Sequence, residues 1–81
     1  MLKIVNNKYL EFEDKALVSF GSDAWCVFTK GDIEVRFSVD YKGQMFADID
    51  NRYDKYFESL EEVKEYIETE NLKYMGIDLI N

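Results

Sequence analysis

The chain has no histidine and no proline, and only one cysteine in 81 residues. Without an imidazole there is neither a histidine base nor a histidine-ligated metal centre. One cysteine alone cannot supply the N/S ligands of a structural zinc site. Cys26 has no partner for an intramolecular disulfide and sits in the apolar run Ala24-Trp25-Cys26-Val27-Phe28, so it reads as a small core residue. Glycine is scarce as well. The four glycines are scattered and form no phosphate-cradling loop. Positive charge is in short supply, with 10 Lys+Arg against 17 Asp+Glu and a net charge of −7. That balance repels phosphate backbones and disfavours direct binding of nucleic acid. No stretch approaches the ~20 apolar residues of a membrane span, and residues 1–10 lack the long apolar centre of a signal peptide. The expectation is a soluble cytoplasmic protein with no cofactor, no metal and no membrane association. The preference for Lys over Arg, eight to two, suits an AT-rich coding sequence such as that of a low-GC bacterium or its phages.

Large apolar pieces are present in quantity. Hydrophobic residues make up 47% of the chain and aromatics 16%, too much for a disordered polypeptide. The length supports one small domain, residues 1–81. The first two thirds alternate with period two and the last third changes to helical spacing. Residues 2–5, 9–12 and 16–20 are candidate strands, with turn signals at Asn6-Asn7 and at Gly21-Ser22-Asp23. Residues 24–30 and 33–40 flank Gly31-Asp32, a two-residue loop suited to a type II′ turn. This hairpin sets Lys30 against Ile33, Phe28 against Val35, Cys26 against Phe37 and Ala24 against Val39. One face then carries Ala24, Cys26, Phe28, Ile33, Val35, Phe37 and Val39, a core face; the other carries Trp25, Val27, Thr29, Glu34, Arg36, Ser38 and Asp40.

A further strand is expected over 45–50. A three-residue loop, Lys42-Gly43-Gln44, keeps Asp48 and Asp50 out of the core, because unpartnered carboxylates are expensive to bury. It sets Tyr41 against Met45, Val39 against Ala47 and Phe37 against Ile49, with Arg36 opposite Asp50 as a cross-strand ion pair. Residues 51–57 read as a polar-aromatic connection. Ser59 with Glu62 three residues on makes a capping box. Leu60, Val63, Tyr66 and Ile67 form the apolar stripe of a helix running to about Asn71 or Met75, with Gly76 as its C′ residue. Ile77, Leu79 and Ile80 add an edge strand or a docked tail. The expected fold class is α+β: a meander-like antiparallel sheet of about four to six strands, with one C-terminal amphipathic helix on its apolar face.

Chemistry-bearing motifs are sparse. Asp48-Ile49-Asp50 invites a calcium loop, but position 5 is Arg52, position 6 is Tyr53 and position 12 is Ser59, and the pattern fails at each. No Ser or Cys has a base to activate it, so no catalytic residue is assigned and the chain is expected not to be an enzyme. Negative surface is the more informative feature. The helix presents Glu58, Glu61, Glu62, Glu65, Glu68 and Glu70 against the single cation Lys64. Glu58/Glu62 and Glu61/Glu65 are like-charge i,i+4 pairs, and Glu68 and Glu70 lie at the unfavourable end of the helix dipole. Glu34, Asp40, Asp48 and Asp50 surround Trp25 and Phe46 on the polar sheet face, as a charged rim surrounds an interface anchor.

These residues (Trp25, Glu34, Asp40, Phe46, Asp48, Asp50, Glu58, Glu61, Glu62, Glu65 and Glu68) are the candidate partner-binding set. The expected partner is a protein with a basic surface. Rows of carboxylates can stand in for phosphates, as in inhibitors of the nucleic-acid-mimic type, whether phage antagonists of nucleic-acid-handling defence enzymes or immunity proteins. The alternative is a self-associating module, most simply a homodimer, whose acidity serves solubility.

Overall fold

The computed structural model describes residues 3–5, 9–12, 16–19 and 24–79. In chain order the described elements are β1 (Lys3–Val5), β2 (Tyr9–Phe12), β3 (Ala16–Ser19), β4 (Ala24–Lys30), β5 (Ile33–Val39), β6 (Met45–Ile49), β7 (Tyr53–Phe57), α1 (Leu60–Thr69) and β8 (Lys73–Leu79). The fold is α+β, with every strand pair antiparallel. The turn signals at Asn6-Asn7 and Gly21-Ser22-Asp23 lie outside the described residues, as does Ile80.

The strands form two sheets instead of one meander: β1-β2-β3, and a five-stranded sheet in the order β7-β6-β5-β4-β8. The physical reason is competition for one edge. A continuous meander would seat β3 beside β4, but β8 pairs with that side of β4 along Ala24↔Leu79 to Thr29↔Lys73. The helix is therefore not the last element. It lies in the C-terminal half and carries the chain from the β7 edge to the opposite edge. Among the described residues no helix is long and apolar enough to cross a membrane.

The β4–β5 hairpin has the expected register over Cys26↔Phe37, Phe28↔Val35 and Lys30↔Ile33, but Ile33, expected on the core face, lies next to the turn and is exposed. Gly31 holds φ +60°, as the first central residue of a type II′ turn requires. The β5–β6 register differs from expectation by two residues: Val39 faces Met45, Phe37 faces Ala47, Val35 faces Ile49, and Arg36 faces Asp48 rather than Asp50. Asp40 causes the shift. Its carboxylate accepts the backbone N–H groups of Lys42 and Gln44, both at 2.9 Å, and closes a loop of residues 40–44. Because the slip is even, every side chain keeps its face.

Residues 53–57 are a strand, not a connection. Asp50 and Asn51 both take positive φ, 54° and 58°, and Arg52 N–H donates to the Ile49 carbonyl at 2.9 Å, which makes a tight primed turn into β7. Four of the five β7 residues are exposed and only Phe57 is buried, so the strand has no alternation to betray it.

Ser59 caps α1, its Oγ accepting from Glu62 N–H at 3.3 Å, and Glu62 Oε1 accepts the Glu58 N–H at 3.1 Å. The helix ends at Thr69, earlier than its sequence spacing predicts, and the C′ residue is Asn71 (φ 55°), not Gly76. Leu72 N–H returns to the Ile67 carbonyl at 3.0 Å and Asn71 N–H to Glu68 at 3.2 Å, the paired bonds of a Schellman motif. Val63 and Ile67 of α1 cover one face of the five-stranded sheet. Phe37 is the centre of that core, fully buried, with the Phe28 ring 5.3 Å away and Phe57 5.8 Å away. Ile4 of β1 packs against the same cluster and ties the small sheet to the large one.

Candidate functional site

Alternation places Trp25 on the face of β4 opposite Cys26, and Phe46 on the face of β6 opposite Ala47. Both therefore point away from α1. Trp25 and Phe46 belong to strands on either side of β5, yet their rings meet edge to face at 5.7 Å. They close over β5 at Ser38, which lies opposite Phe46 and is buried despite facing the polar side. A small residue is needed there, because a larger side chain would push the two rings apart. Tyr56, opposite Phe46 on β7, extends the row, its ring 5.7 Å from that of Phe46. Trp25, Phe46 and Tyr56 thus make an aromatic strip across three of the five strands.

Arg36 sits beside the strip. Its guanidinium carbon is 4.7 Å from the centre of the Trp25 ring, and Nη2 donates to Asp78 Oδ2 at 3.0 Å. Nε is enclosed and 3.6 Å from Glu34 Oε1, an ion pair too long for a hydrogen bond. Asp48 lies opposite Arg36 on one side and opposite Asp54 on the other, a like-charge cross-strand pair that works against stability. The face carries Glu34, Asp48, Asp54 and Asp78 against Arg36 and Lys73, and Arg36 is already engaged by two of the carboxylates.

The candidate binding residues do not form one surface. Trp25, Glu34, Phe46 and Asp48 share the open sheet face. Asp40 uses its carboxylate to hold the 40–44 loop. Asp50 lies in the β6–β7 turn, 3.4 Å from Arg52 Nε, so the expected Arg36–Asp50 pair is replaced by Arg36–Asp78 and Arg52–Asp50. Glu58, Glu61, Glu62, Glu65 and Glu68 belong to the helix side, behind the sheet. There Glu62 is a cap and Glu68 is paired with Lys64 at 3.0 Å. Glu70 reaches Lys30 at 3.1 Å.

Tyr56, Asp54 and Asp78 were not legible as members of the face. Reading 53–57 as a strand would have brought in Asp54 and Tyr56, and pairing β8 with β4 would have brought in Asp78. Cys26 has its thiol pushed up to about 12 by burial, which leaves it protonated and unreactive at neutral pH.

Compared with protein-family models, curated proteins and solved structures, the chain matches none of them.

Proposed function

We propose that the protein acts by binding, not by catalysis, and that it docks a basic surface of another protein on the open face of its five-stranded sheet. The aromatic strip Trp25–Phe46–Tyr56, rimmed by Glu34, Asp48, Asp54 and Asp78, is the observation that carries this reading. Aromatic anchors inside a charged rim supply both the desolvated centre and the steering of an interface. The stack of Arg36 on Trp25 supports it further, since it is a working example of the contact a partner's arginine would make with Phe46 or Tyr56. The proposed role is that of a cytoplasmic inhibitor of the nucleic-acid-mimic type, its carboxylates taking the place of phosphates on a basic groove, as a phage-encoded antagonist or an immunity protein would.

The homodimer reading draws on exposed Met75 and Ile77 of the β8 edge. It is weaker, because both edges carry protection. The pairing of β8 with β4 is interrupted by a bulge between Val27 and Phe28. An antiparallel twofold pairing centred on the middle residue of β7 would set Lys55 against Lys55 of the second copy. The test is solution mass and capture from a host extract across a salt series. Capture that weakens as salt rises supports the basic partner; a salt-insensitive dimer that captures nothing supports self-association.

A further inference from the structure

We propose that the groove between β7 and α1 seats an arginine side chain presented by a basic protein, and that Lys55 is the chain's own occupant of that seat. This is a second site, on the opposite side of the sheet from the aromatic strip, and it does not depend on the strip being a docking surface. The groove has a volume of about 270 Å³ and is lined by Lys55, Phe57, Glu62, Glu65, Tyr66 and Thr69. Lys55 faces the helix side because its cross-strand neighbour is the buried Ala47. Its Nζ lies 5.5 Å from the centre of the Phe57 ring and 5.7 Å from that of Tyr66, within the range at which a ring face attracts a cation. The two rings are 5.4 Å apart at 62° and so present two faces to one charge.

The seat attracts cations, and Lys55 fills it incompletely. Among the described residues Lys55 makes no ion pair, although Glu62 and Glu65 line the same groove. Lys55 reaches the rings from the strand that forms the floor and does not come within pairing distance of the carboxylates on the helix wall. Glu65 has no ionic partner among the described residues, and the neighbouring cation Lys64 is held by Glu68 at 3.0 Å. A guanidinium that enters from the open side and displaces Lys55 meets both halves at once: it stacks on Phe57 and Tyr66 and reaches Glu65. Arginine fits this better than lysine, because its planar, weakly hydrated head stacks on rings and pairs with carboxylates along a fixed fork. The occupant is therefore the arginine of a polypeptide rather than a metal ion or a free amine.

The test is an NMR titration of the full chain with a blocked tri-arginine peptide and, separately, a blocked tri-lysine peptide of equal charge. The expected shifts concentrate on the Phe57 and Tyr66 rings and on Lys55, Glu62 and Glu65, with the Trp25 indole unmoved. Tri-arginine binds more tightly than tri-lysine by about two- to fivefold. Lys55→Ala tightens tri-arginine binding more than Lys73→Ala, which makes the same charge change on the far side of the sheet. Glu65→Gln weakens binding more than Glu61→Gln. Equal affinity for the two peptides, shifts centred on Trp25, or identical effects of Lys55→Ala and Lys73→Ala would each overturn the proposal. Shifts at Trp25 with an undisturbed groove would leave the open sheet face standing as the site and remove this one.

Discussion

The two faces of the five-stranded sheet carry the same kind of material in different company. On the helix side Phe28, Phe37 and Phe57 are buried with Val63 and Ile67. On the other side Trp25, Phe46 and Tyr56 lie one residue away along the same strands or their neighbours, with no helix over them among the described residues and with Arg36, Asp48 and Asp78 among them. Burial explains the first set completely: a small domain needs a few large apolar side chains out of water. It does not explain the second. An aromatic row left half in solvent adds little to stability, and the like-charge pair Asp48/Asp54 beside it subtracts. The proposed docking role would account for a face assembled at some expense to the fold.

Truncations separate the two faces most sharply. Phe37→Ala, at the centre of the buried face, is expected to cost about 3–5 kcal/mol in urea unfolding. Phe46→Ala forfeits the edge-to-face contact with Trp25 and is expected to cost only about 1 kcal/mol, while abolishing partner capture. Comparable losses from the two substitutions would break the distinction between a structural and a functional face.

A second contrast uses pH. The Cys26 thiol points into the core, and burial raises its pKa from 9.0 to about 12; Tyr66 and Tyr74 are raised too, in both cases chiefly by burial. The folded chain keeps a Cys26 proton that the unfolded chain releases. Stability should therefore be insensitive to these groups below pH 9 and fall by about 1.4 kcal/mol per pH unit for that thiol between 9 and 12. Cys26→Ala should flatten the decline, leaving the loss from the tyrosines at the top of the range. Urea midpoints at neutral and alkaline pH measure both slopes; an unchanged slope in the variant would place the thiol in contact with water.

The smallest expected effect concerns the helix that covers one face and not the other. Asn71 holds the left-handed C′ position of α1. Asn71→Gly should leave the thermal midpoint unchanged or raise it slightly, whereas Asn71→Val should destabilise by about 1–2 kcal/mol. Loss of the cap loosens only the core face. Fluorescence of Trp25, which reports the other side, should therefore hold until global unfolding.

Much of this division was legible in the sequence. Gly31-Asp32 fixes the central hairpin, the alternation beyond it sorts Trp25 and Cys26 to opposite faces, and Ser59 with Glu62 marks the start of the helix. The sorting survived a wrong loop length because Asp40 lengthened the loop by an even number of residues. What did not come through has a common physical cause: pairings decided by distant parts of the chain leave little local pattern. β7 buries only Phe57 and looks like a connection, and the Asp50-Asn51 turn that starts it lacks the glycine usual in primed turns. β8 takes the edge of β4 from the N-terminal strands, which no local spacing announces. Hence Asp78, the residue that anchors Arg36 on Trp25, was absent from the expected site.

The most direct measurement compares the wild-type chain with the double variant Trp25→Ala, Asp48→Lys for capture of a basic protein from a host extract at low salt, with a thermal melt of each. Loss of capture by the variant, with a melting transition that stays cooperative and above the capture temperature, is the result predicted for docking through the open sheet face. A folded variant that captures the same protein as well as the wild type contradicts it.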